Sequence, residues 1–297
     1  MSRKTLFGLA LALVASIGAV AAQNQSPTTH PARLPASLRL YVFDGGTLGS
    51  DPERYRLKKE EVAAVDLAVT AFLIAHPKGL LLWDTGAIAD DSWTPTGRGV
   101  ARRLILSNGA ERKVTLRTPL KAQLAAVGYT PADVTYLALS HYHWDHVANA
   151  NMFAGATWLA RPIERDAMFP DKAPDVPQPS LFADLKNSKT TLLMKDDYDV
   201  FGDGSVVIKL AKGHTPGHQV LYLKLAKTGG VVLSGDLYHY PEERTLNRLP
   251  LADVDQEQTR QSREALETFL KEQRATLWIQ HDLIGSRKLK KAPAYYQ

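Results

Sequence analysis

Residues 140–146 of the chain read SHYHWDH, so three imidazoles and one carboxylate lie within six consecutive residues. The preceding residues 134–139 (VTYLAL) are apolar or β-branched and contain no breaker, which predicts a short buried strand. The polar residues therefore begin on the loop at the carboxyl end of that strand. Open α/β sheets place their functional sites at this edge.

The spacing within this loop is typical of metal ligands. His141 and His143 are two residues apart, so in extended backbone their side chains point to the same side and can bind one ion. Asp145 and His146 are adjacent, and a turn of the loop would direct both toward a second ion. Imidazole nitrogen and carboxylate oxygen are the ligands that borderline divalent metals such as zinc prefer. Metal binding explains this cluster better than a few surface histidines would, because the whole chain has only nine histidines.

Three later motifs also place His or Asp at the end of a predicted strand. Residues 212–219 read KGHTPGHQ, where glycine and proline restrict the backbone around His214. Residues 234–236 (SGD) follow the apolar run 230–233 and end in Asp236. Residues 276–279 predict a further strand, and His281 follows it after Gln280.

The pattern His141-x-His143-x-Asp145-His146 resembles the signature of the metallo-β-lactamase superfamily. The resemblance extends over nearly all of the chain after residue 36, because the later motifs follow in the order that the family has. It implies an α/β fold, an αββα sandwich with two central mixed sheets and helices on the outer faces. It also implies a ligand set for two divalent ions, expected to be zinc. The implied metal ligands are His141, His143, Asp145, His146, His214, Asp236 and His281.

The resemblance also implies separate roles for these residues. His214 would complete the ion bound by His141 and His143, Asp236 would bridge the two ions, and His281 would complete the second. Asp84, in the motif Asp84-Thr85-Gly86 after a predicted strand, would support the ligands through hydrogen bonds, as outer partners of metal sites do. His218 would have a structural or supporting role.

Two such ions would lower the pKa of a shared water and polarise a carbonyl or phosphoryl oxygen, which predicts hydrolysis. Asp145 or Asp236 could then pass a proton to the leaving group. Within the superfamily the chain is most similar to the N-acyl homoserine lactone hydrolases, on the evidence of residues 40–46 (LYVFDGG), 213–219 (GHTPGHQ) and 280–282 (QHD). This similarity implies opening of the lactone ring by a metal-bridging hydroxide, the reaction of quorum-quenching enzymes.

One position departs from the lactonase pattern. Those lactonases carry a tyrosine three residues after the bridging aspartate, placed to contact the lactone carbonyl. The chain has His239 at that position, between Tyr238 and Tyr240. Either His239 takes the catalytic role as a hydrogen-bond donor or the substrate is different.

Other functions remain open to different degrees. A phosphotriester or other ester hydrolase would use the same ligand set. A zinc β-lactamase is disfavoured because those enzymes generally lack a bridging aspartate at the place of Asp236. A glyoxalase-type thioesterase is disfavoured for an exported chain, and a di-iron redox protein normally has Glu at the place of His143. A metal-binding protein without turnover is disfavoured by the complete ligand set.

The first 22 residues predict a secretory signal peptide, with Arg3 and Lys4 before an apolar stretch at residues 6–17 and a small-residue cleavage site at residues 20–22. An uncleaved N-terminal anchor is the less favoured alternative. Residues 23–36 predict a flexible lead-in, and residues 37–297 a single hydrolase domain. We therefore expect a periplasmic or secreted protein with no stable membrane insertion after cleavage.

Composition limits the partners. The formal charge is +5 including Arg3 and Lys4, which does not indicate nucleic-acid binding. The absence of cysteine excludes disulfides and cysteine ligands. The expected partner is a small-molecule ester or lactone, and the oligomeric state is left open.

The remaining pattern predicts the elements around the motifs. A first strand at residues 38–43 is expected to end at Gly45-Gly46, and a hairpin is expected from residues 68–76 and 79–83. Helices are expected at residues 120–127, with Thr118-Pro119 at the start and Gly128 at the end, and at residues 253–271. Residues 90–109 and 170–179 are expected to form loops near the site, with Trp93 and Ile105 as possible pocket residues. Residues 276–279 are expected to be the last strand.

Overall fold

The computed structural model describes residues 33–90, 100–105, 109, 111–171 and 178–297. The predicted signal peptide, most of the lead-in, Trp93 and the side chain of Ile105 lie outside the described part. Within it, no helix is both long enough and apolar enough to span a membrane. The strands are β1 (Arg39–Leu48), β2 (Leu67–His76), β3 (Gly79–Trp83), β4 (Val100–Ile105), β5 (Glu111–Leu116), β6 (Tyr136–Ala138), β7 (Thr157–Ala160), β8 (Thr190–Leu192), β9 (Asp197–Asp199), β10 (Val206–Leu210), β11 (Gln219–Leu225), β12 (Gly229–Leu233), β13 (Thr276–Trp278) and β14 (Tyr295–Tyr296). The helices are α1 (Leu120–Ala126), α2 (Trp144–Val147), α3 (Pro162–Met168), α4 (Pro241–Thr245), α5 (Gln256–Gln273) and α6 (Leu283–Lys288).

The predicted hairpin is the centre of the larger sheet. Every residue of β2 and β3 is buried, as near-continuous apolar runs predict for strands covered on both faces. The sheet has the order β4-β5-β1-β2-β3-β6-β7-β8, and β14 pairs with β1. Strands β3, β6, β7 and β8 run parallel to one another.

A second sheet has the order β13-β12-β11-β10-β9 and is antiparallel except for the β12–β13 pair. Three apolar clusters give the layer order. One lies between the sheets and includes Trp83 and Leu221. One packs α1 on the larger sheet through Leu124, and one packs α5 on the smaller sheet through Leu266 and Leu270. The predicted helix–sheet–sheet–helix architecture is therefore confirmed.

Strand direction brings the predicted motifs to one edge of the sandwich. The carboxyl ends of the parallel strands β3 and β6 lead to Asp84 and to the loop at residues 139–143. In the second sheet β12 and β13 are parallel, and β10 runs in the same direction because β11 is antiparallel to both β10 and β12. The segments after these strands carry His214, Asp236 and His281, so side chains far apart in sequence meet at this edge.

Several sequence predictions differ from the structure. The prediction that Gly45-Gly46 ends the first strand was wrong, because β1 continues to Leu48 through a bulge between Asp44 and Thr47. Gly46 has a φ of 98°, and a Cβ there would lie 2.1 Å from the carbonyl oxygen of Thr115 on β5. The glycine therefore permits close strand approach instead of ending the strand.

The ends of other elements also needed correction. Part of the predicted loop at residues 90–109 is β4, which pairs with β5. Thr118 does not cap α1, since Asp90 accepts hydrogen bonds from the backbone N–H groups of Leu120 and Lys121. Helix α5 begins after Asp255, which caps it by accepting from Gln258 N–H. The strand predicted to be the last is followed by β14.

Candidate metal centre

The structure brings all seven predicted metal-binding residues together in two adjacent groups. In the first, ligand atoms of His141, His143, His214 and Asp236 lie within 4.8 Å of one another. In the second, ligand atoms of Asp145, His146 and His281 satisfy the same limit. All of these residues are buried except His143, which is half-buried.

Asp236 lies between the two groups and faces each with a different oxygen. Its Oδ1 is 3.0 Å from His146 Nε2 and 2.9 Å from His281 Nε2. Its Oδ2 is 3.5 Å from His141 Nε2 and 3.3 Å from His214 Nε2. Two ligand atoms of one tetrahedral zinc ion are about 3.3 Å apart, given zinc–ligand bonds of about 2.0 Å. The two Oδ2 separations are close to this value and the two Oδ1 separations are somewhat shorter, so all four are compatible with residues that share a cation.

Unpartnered buried atoms support the same conclusion. His141 Nε2 and Asp236 Oδ1 are buried and make no hydrogen bond with any group of the described chain. Asp236 Oδ1 accepts none from the two imidazoles that approach it most closely. Buried polar atoms are rarely left unsatisfied, so these two atoms point to a missing partner. A borderline divalent cation fits, because the donors are imidazole nitrogens and carboxylate oxygens.

The histidines are held by their second nitrogen. His146 Nδ1 donates to Asp84 Oδ2 (2.9 Å), and His214 Nδ1 donates to Asp253 Oδ1 (2.8 Å). His281 Nδ1 donates to the carbonyl oxygen of Ala68 (2.6 Å). A proton fixed on Nδ1 assigns Nε2 to the metal. Burial lowers the pKa of His146 and His214, but Asp236 outweighs it and raises both, so metal binding would release the Nε2 proton of these rings.

His141 is held through the side chain of Ser140. Its Nδ1 lies 3.0 Å from Ser140 Oγ, which in turn donates to Asp84 Oδ2 at 2.9 Å. Asp84 Oδ1 accepts the backbone N–H of Ser140 at 2.6 Å, and Oδ2 also accepts from Gln280 Nε2 at 2.9 Å. Asp84 is thus a hub that orients two predicted ligands, consistent with the supporting role expected from the sequence.

Electrostatics keep part of the site ready to bind a cation. Burial, together with the neighbouring imidazoles, lowers the pKa of His141 and His143 well below the usual range. Both side chains are therefore neutral, with lone pairs free for a metal. Burial would raise the pKa of Asp236, but the surrounding histidines lower it well below the usual carboxyl value. Asp236 is therefore ionised.

The backbone at Asp236 is fixed from behind by His218. Its Nε2 accepts the backbone N–H of Asp236 at 2.9 Å, and its Nδ1 donates to the carbonyl oxygen of Ala211. Burial lowers the pKa of His218 to about 3, so the ring stays neutral and keeps its acceptor nitrogen. The structure places this residue next to a predicted ligand without directing it into the site.

His239 reaches the site from the turn after Asp236. Its Nε2 lies 3.1 Å from Asp236 Oδ2, and its ring is stacked parallel to that of His281. Glu243 lies behind it, accepting the His239 backbone N–H at 2.7 Å and approaching Nδ1 to 3.5 Å. Arg263 pairs with Glu243 at 3.2 Å. Burial lowers the pKa of His239, but Asp236 and Glu243 outweigh it and raise the pKa to about 10.

Glu164 joins the first metal loop to the loop of His214. It accepts hydrogen bonds from the backbone N–H of Tyr142, from Thr215 Oγ1 and from the backbone N–H of Gly217, at 2.7–3.0 Å. Burial raises its pKa to about 7 in spite of these donors. Its contacts hold two sequence-distant loops in register around the site.

A cavity of about 200 Å³ opens directly over the two groups. Its lining includes Asp145, Asp236, His239 and His281. Apolar side chains and Tyr55 form part of the wall, and the Tyr55 ring packs 4.5 Å from that of His239. The apolar residues of the wall are Leu48, Leu67, Trp144, Pro250 and Ala252. The volume is below that of pockets for drug-sized ligands, so the cavity fits the reacting end of a small molecule.

The sequence did not single out several residues that build this site. Asp253 was taken only as the beginning of a helix, and Gln280 only as part of a motif. Glu243 and Glu164 lie on helices with no pattern to distinguish them from surface acids. Only the buried position of each carboxylate reveals its role.

The comparisons with known proteins agree with this geometry. Residues 64–281 match the sequence model of the metallo-beta-lactamase superfamily. The N-acyl homoserine lactonase AttM of Azorhizobium caulinodans is 29% identical over 268 residues, covering 87% of this chain and 98% of that protein. An N-acyl homoserine lactonase from a Bacillus species is 27% identical, covering 86% of this chain and 98% of that protein.

A solved structure gives the same architecture. It is an N-acyl homoserine lactone hydrolase with the product N-hexanoyl-L-homoserine bound at its catalytic metal centre. It superposes with a TM-score of 0.70 at 22% identity, over 86% of this chain and 98% of that one. At that identity the match establishes the shared fold.

Proposed function

The chain belongs to the metallo-beta-lactamase superfamily of metal-dependent hydrolases, and we propose that it opens the ring of N-acyl homoserine lactones with two divalent cations. The observation that carries the proposal is the position of Asp236, with one oxygen toward each group of histidines. The near full-length similarity to N-acyl homoserine lactonases supports the choice of substrate.

His141, His143 and His214 would hold one cation, Asp145, His146 and His281 the other, and Asp236 both. When bound, the cations would supply an activated water nucleophile and polarise the carbonyl oxygen of the substrate. The reaction adds water to the lactone carbonyl carbon and breaks the ring C–O bond. A proton goes to the ring oxygen, which becomes a hydroxyl group, and the product is a hydroxy acid.

The protein groups around this reaction have separate tasks. Asp145 lines the cavity and would pass a proton to the departing ring oxygen; Asp236, which also lines the cavity, is the other carboxylate that could do so. His239 lines the same space, with Glu243 3.5 Å from its Nδ1. A donor at Nε2 would contact the carbonyl oxygen and strengthen as negative charge develops there. His239 thus takes the place of the lactonase tyrosine.

The cavity wall supports a substrate with a small reacting head. Leu48, Leu67 and Trp144 provide apolar surface next to the carboxylates, which suits a lactone ring. The rest of the substrate would extend from the mouth of the cavity.

We further propose that the cations are zinc and that the chain acts outside the cytoplasm. Imidazole and carboxylate ligands with no cysteine suit zinc. The N-terminal charge and apolar run support export. Metal analysis of the purified chain and fractionation of cells that express it test these two points.

Substrate profiling tests the reaction. The metal-loaded chain would be offered an N-acyl homoserine lactone, a cephalosporin and a phosphotriester. Ring opening of the lactone alone supports the proposal, while preferential turnover of the phosphotriester favours the related organophosphate hydrolases. No turnover of any ester by a chain with bound metal would favour a metal-binding role.

Two variants connect turnover to the centre. His143→Ala and Asp236→Ala should abolish hydrolysis and leave the far-ultraviolet circular dichroism spectrum unchanged. Asp197→Ala is the matched control, because this carboxylate lies on the surface and pairs with Lys209. Activity close to wild type in either site variant would refute the ligand assignment.

A further inference from the structure

Two guanidinium groups line the same cavity as the metal ligands. Arg54 comes from the short 3-10 helix Pro52–Tyr55, and Arg112 comes from β5. They reach the cavity from separate segments, so their convergence is a property of the tertiary fold. Asp145, Asp236 and His281 line the same cavity.

Within the described residues, no carboxylate forms an ion pair with either arginine. Arg112 instead donates to the carbonyl oxygen of its neighbour Glu111. Other arginines of the chain do find carboxylates, such as Arg244 with Glu267 at 2.6 Å. Both cavity arginines therefore line the shared space without a direct ion pair, although the nearby charge of Asp145 partly stabilises Arg112.

Their proximity is unfavourable in the protein alone. Burial lowers the pKa of Arg112, and the charge of Arg54 lowers it further. Arg112 is half-buried and Arg54 is exposed, and an anionic partner in the cavity would offset the repulsion between the two like charges. Cations bound by the histidines and carboxylates of the same cavity would add to its positive potential.

We propose that Arg54 and Arg112 bind an anionic oxygen group, such as a carboxylate, carried by the substrate outside its reacting ring. This inference rests on the proposed lactonase function and narrows the substrate class to lactones with an acidic substituent. Guanidinium groups match carboxylate and phosphate oxygens through paired N–H donors. The apolar wall would still contact the uncharged part of the molecule.

A matched pair of substrates tests the inference. N-succinyl homoserine lactone ends in a carboxylate, and N-succinamoyl homoserine lactone replaces that carboxylate with a carboxamide of nearly equal size. We expect kcat/KM to be at least tenfold higher for the carboxylate, mainly through a lower KM. The advantage should shrink as salt is raised, because the attraction is partly exposed to solvent.

Substitution of the arginines should remove this preference. Arg112→Gln and Arg54→Gln should each lower the ratio of kcat/KM for carboxylate over carboxamide several-fold, and the double variant should bring it close to one. Arg56→Gln is the matched control. It removes an arginine two positions from Arg54 that is exposed and hydrogen bonds to Gln256, and it should keep the wild-type ratio.

Binding of an unreactive analogue separates this inference from the proposed function. In the corresponding lactams a ring N–H replaces the ring oxygen, so calorimetry with the metal-loaded chain measures affinity without turnover. Equal affinity for the carboxylate and carboxamide lactams would overturn the arginine site, even if neutral lactones are opened efficiently. A carboxylate preference lost in the double variant would support the site, even if no lactone is opened and the proposed function fails.

Discussion

Replacement of Asp84 by Asn tests whether the hydrogen bonds behind the histidines determine metal binding. Asp84 is fully buried and accepts four hydrogen bonds. Three of the donors, the Ser140 hydroxyl, His146 Nδ1 and Gln280 Nε2, meet at Oδ2. The fourth, the Ser140 backbone N–H, meets Oδ1. Asn keeps the shape of the side chain but provides only one acceptor oxygen.

Either orientation of the new amide opposes the native network. With its NH2 group at the Oδ2 position, the amide would donate to His146 Nδ1 and favour the tautomer with the proton on Nε2. That proton would occupy the lone pair directed at Asp236 and the second group of ligands. With the amide reversed, NH2 would face the Ser140 backbone N–H and leave a buried donor unsatisfied.

The expected losses can be estimated. Hydrogen bonds to charged groups contribute about 1.5–3 kcal/mol each, so the metal-free chain should lose about 2–4 kcal/mol of unfolding free energy. Loss of an outer partner typically lowers metal affinity about 10- to 100-fold. This corresponds to about 1.4–2.8 kcal/mol of binding free energy.

Urea unfolding in chelator and competition with a chromophoric chelator measure the two effects separately. Asp90→Asn is the control, because this carboxylate also accepts two backbone N–H groups, those of Leu120 and Lys121 at the start of α1. It should lower stability by about 1 kcal/mol, as loss of a helix cap does, and keep wild-type metal affinity. The reasoning is refuted if Asp84→Asn binds metal as tightly as wild type, or if Asp90→Asn weakens binding equally.

Three further predictions concern pH, backbone geometry and metal linkage. Burial raises the pKa of Glu164 to about 7 from its ordinary value of 4.5, so the folded chain retains a proton that the unfolded chain has lost. The free energy of unfolding should therefore fall by up to about 3 kcal/mol as pH rises from about 4.5 to 7. Glu164→Gln should lack this part of the pH dependence when unfolding by urea is measured in chelator. Parallel pH profiles for the wild type and the variant would contradict the prediction. Gly235→Ala should lower the melting temperature far more than Gly204→Ala. Both glycines have positive φ, but only at Gly235 would a Cβ lie 2.5 Å from His218 Nε2. Equal decreases in melting temperature would show that the clash with His218 is not the cause. Metal at a hundredfold excess over its Kd should add about 2.7 kcal/mol of stability, an increment that calorimetry should find largely absent in Asp236→Ala.

The convergence of the seven proposed metal-binding residues could be predicted because their signals are local. Residues 140–146 present four candidate ligands in one loop, and His214, Asp236 and His281 each follow a strand with a clear apolar pattern. Strand direction then determines that these segments meet. The layered fold followed from the same strands, since β2 and β3 are apolar on both faces.

The supporting residues could not be predicted in the same way. Asp253 lies 39 positions from His214, and its contact depends on the tertiary path of the segment before α5. Glu243 lies on a short helix with other acids, and only its burial with Arg263 distinguishes it. The bulge in β1 was misread because a glycine pair predicts a turn equally well when the neighbouring strand is unknown.

The histidines and the cavity wall depend on different contacts. The imidazoles of His146, His214 and His281 are each fixed by a group on another segment, so metal geometry depends on the packing of the whole sandwich. Arg54 and Tyr55 make no hydrogen bond to a ligand side chain within the described residues, although they share the cavity. Changes on that wall can therefore alter which molecule is bound without disturbing the cations. The family signature accordingly identifies the chemistry of the centre, while the preference for a substituent depends on residues outside the signature.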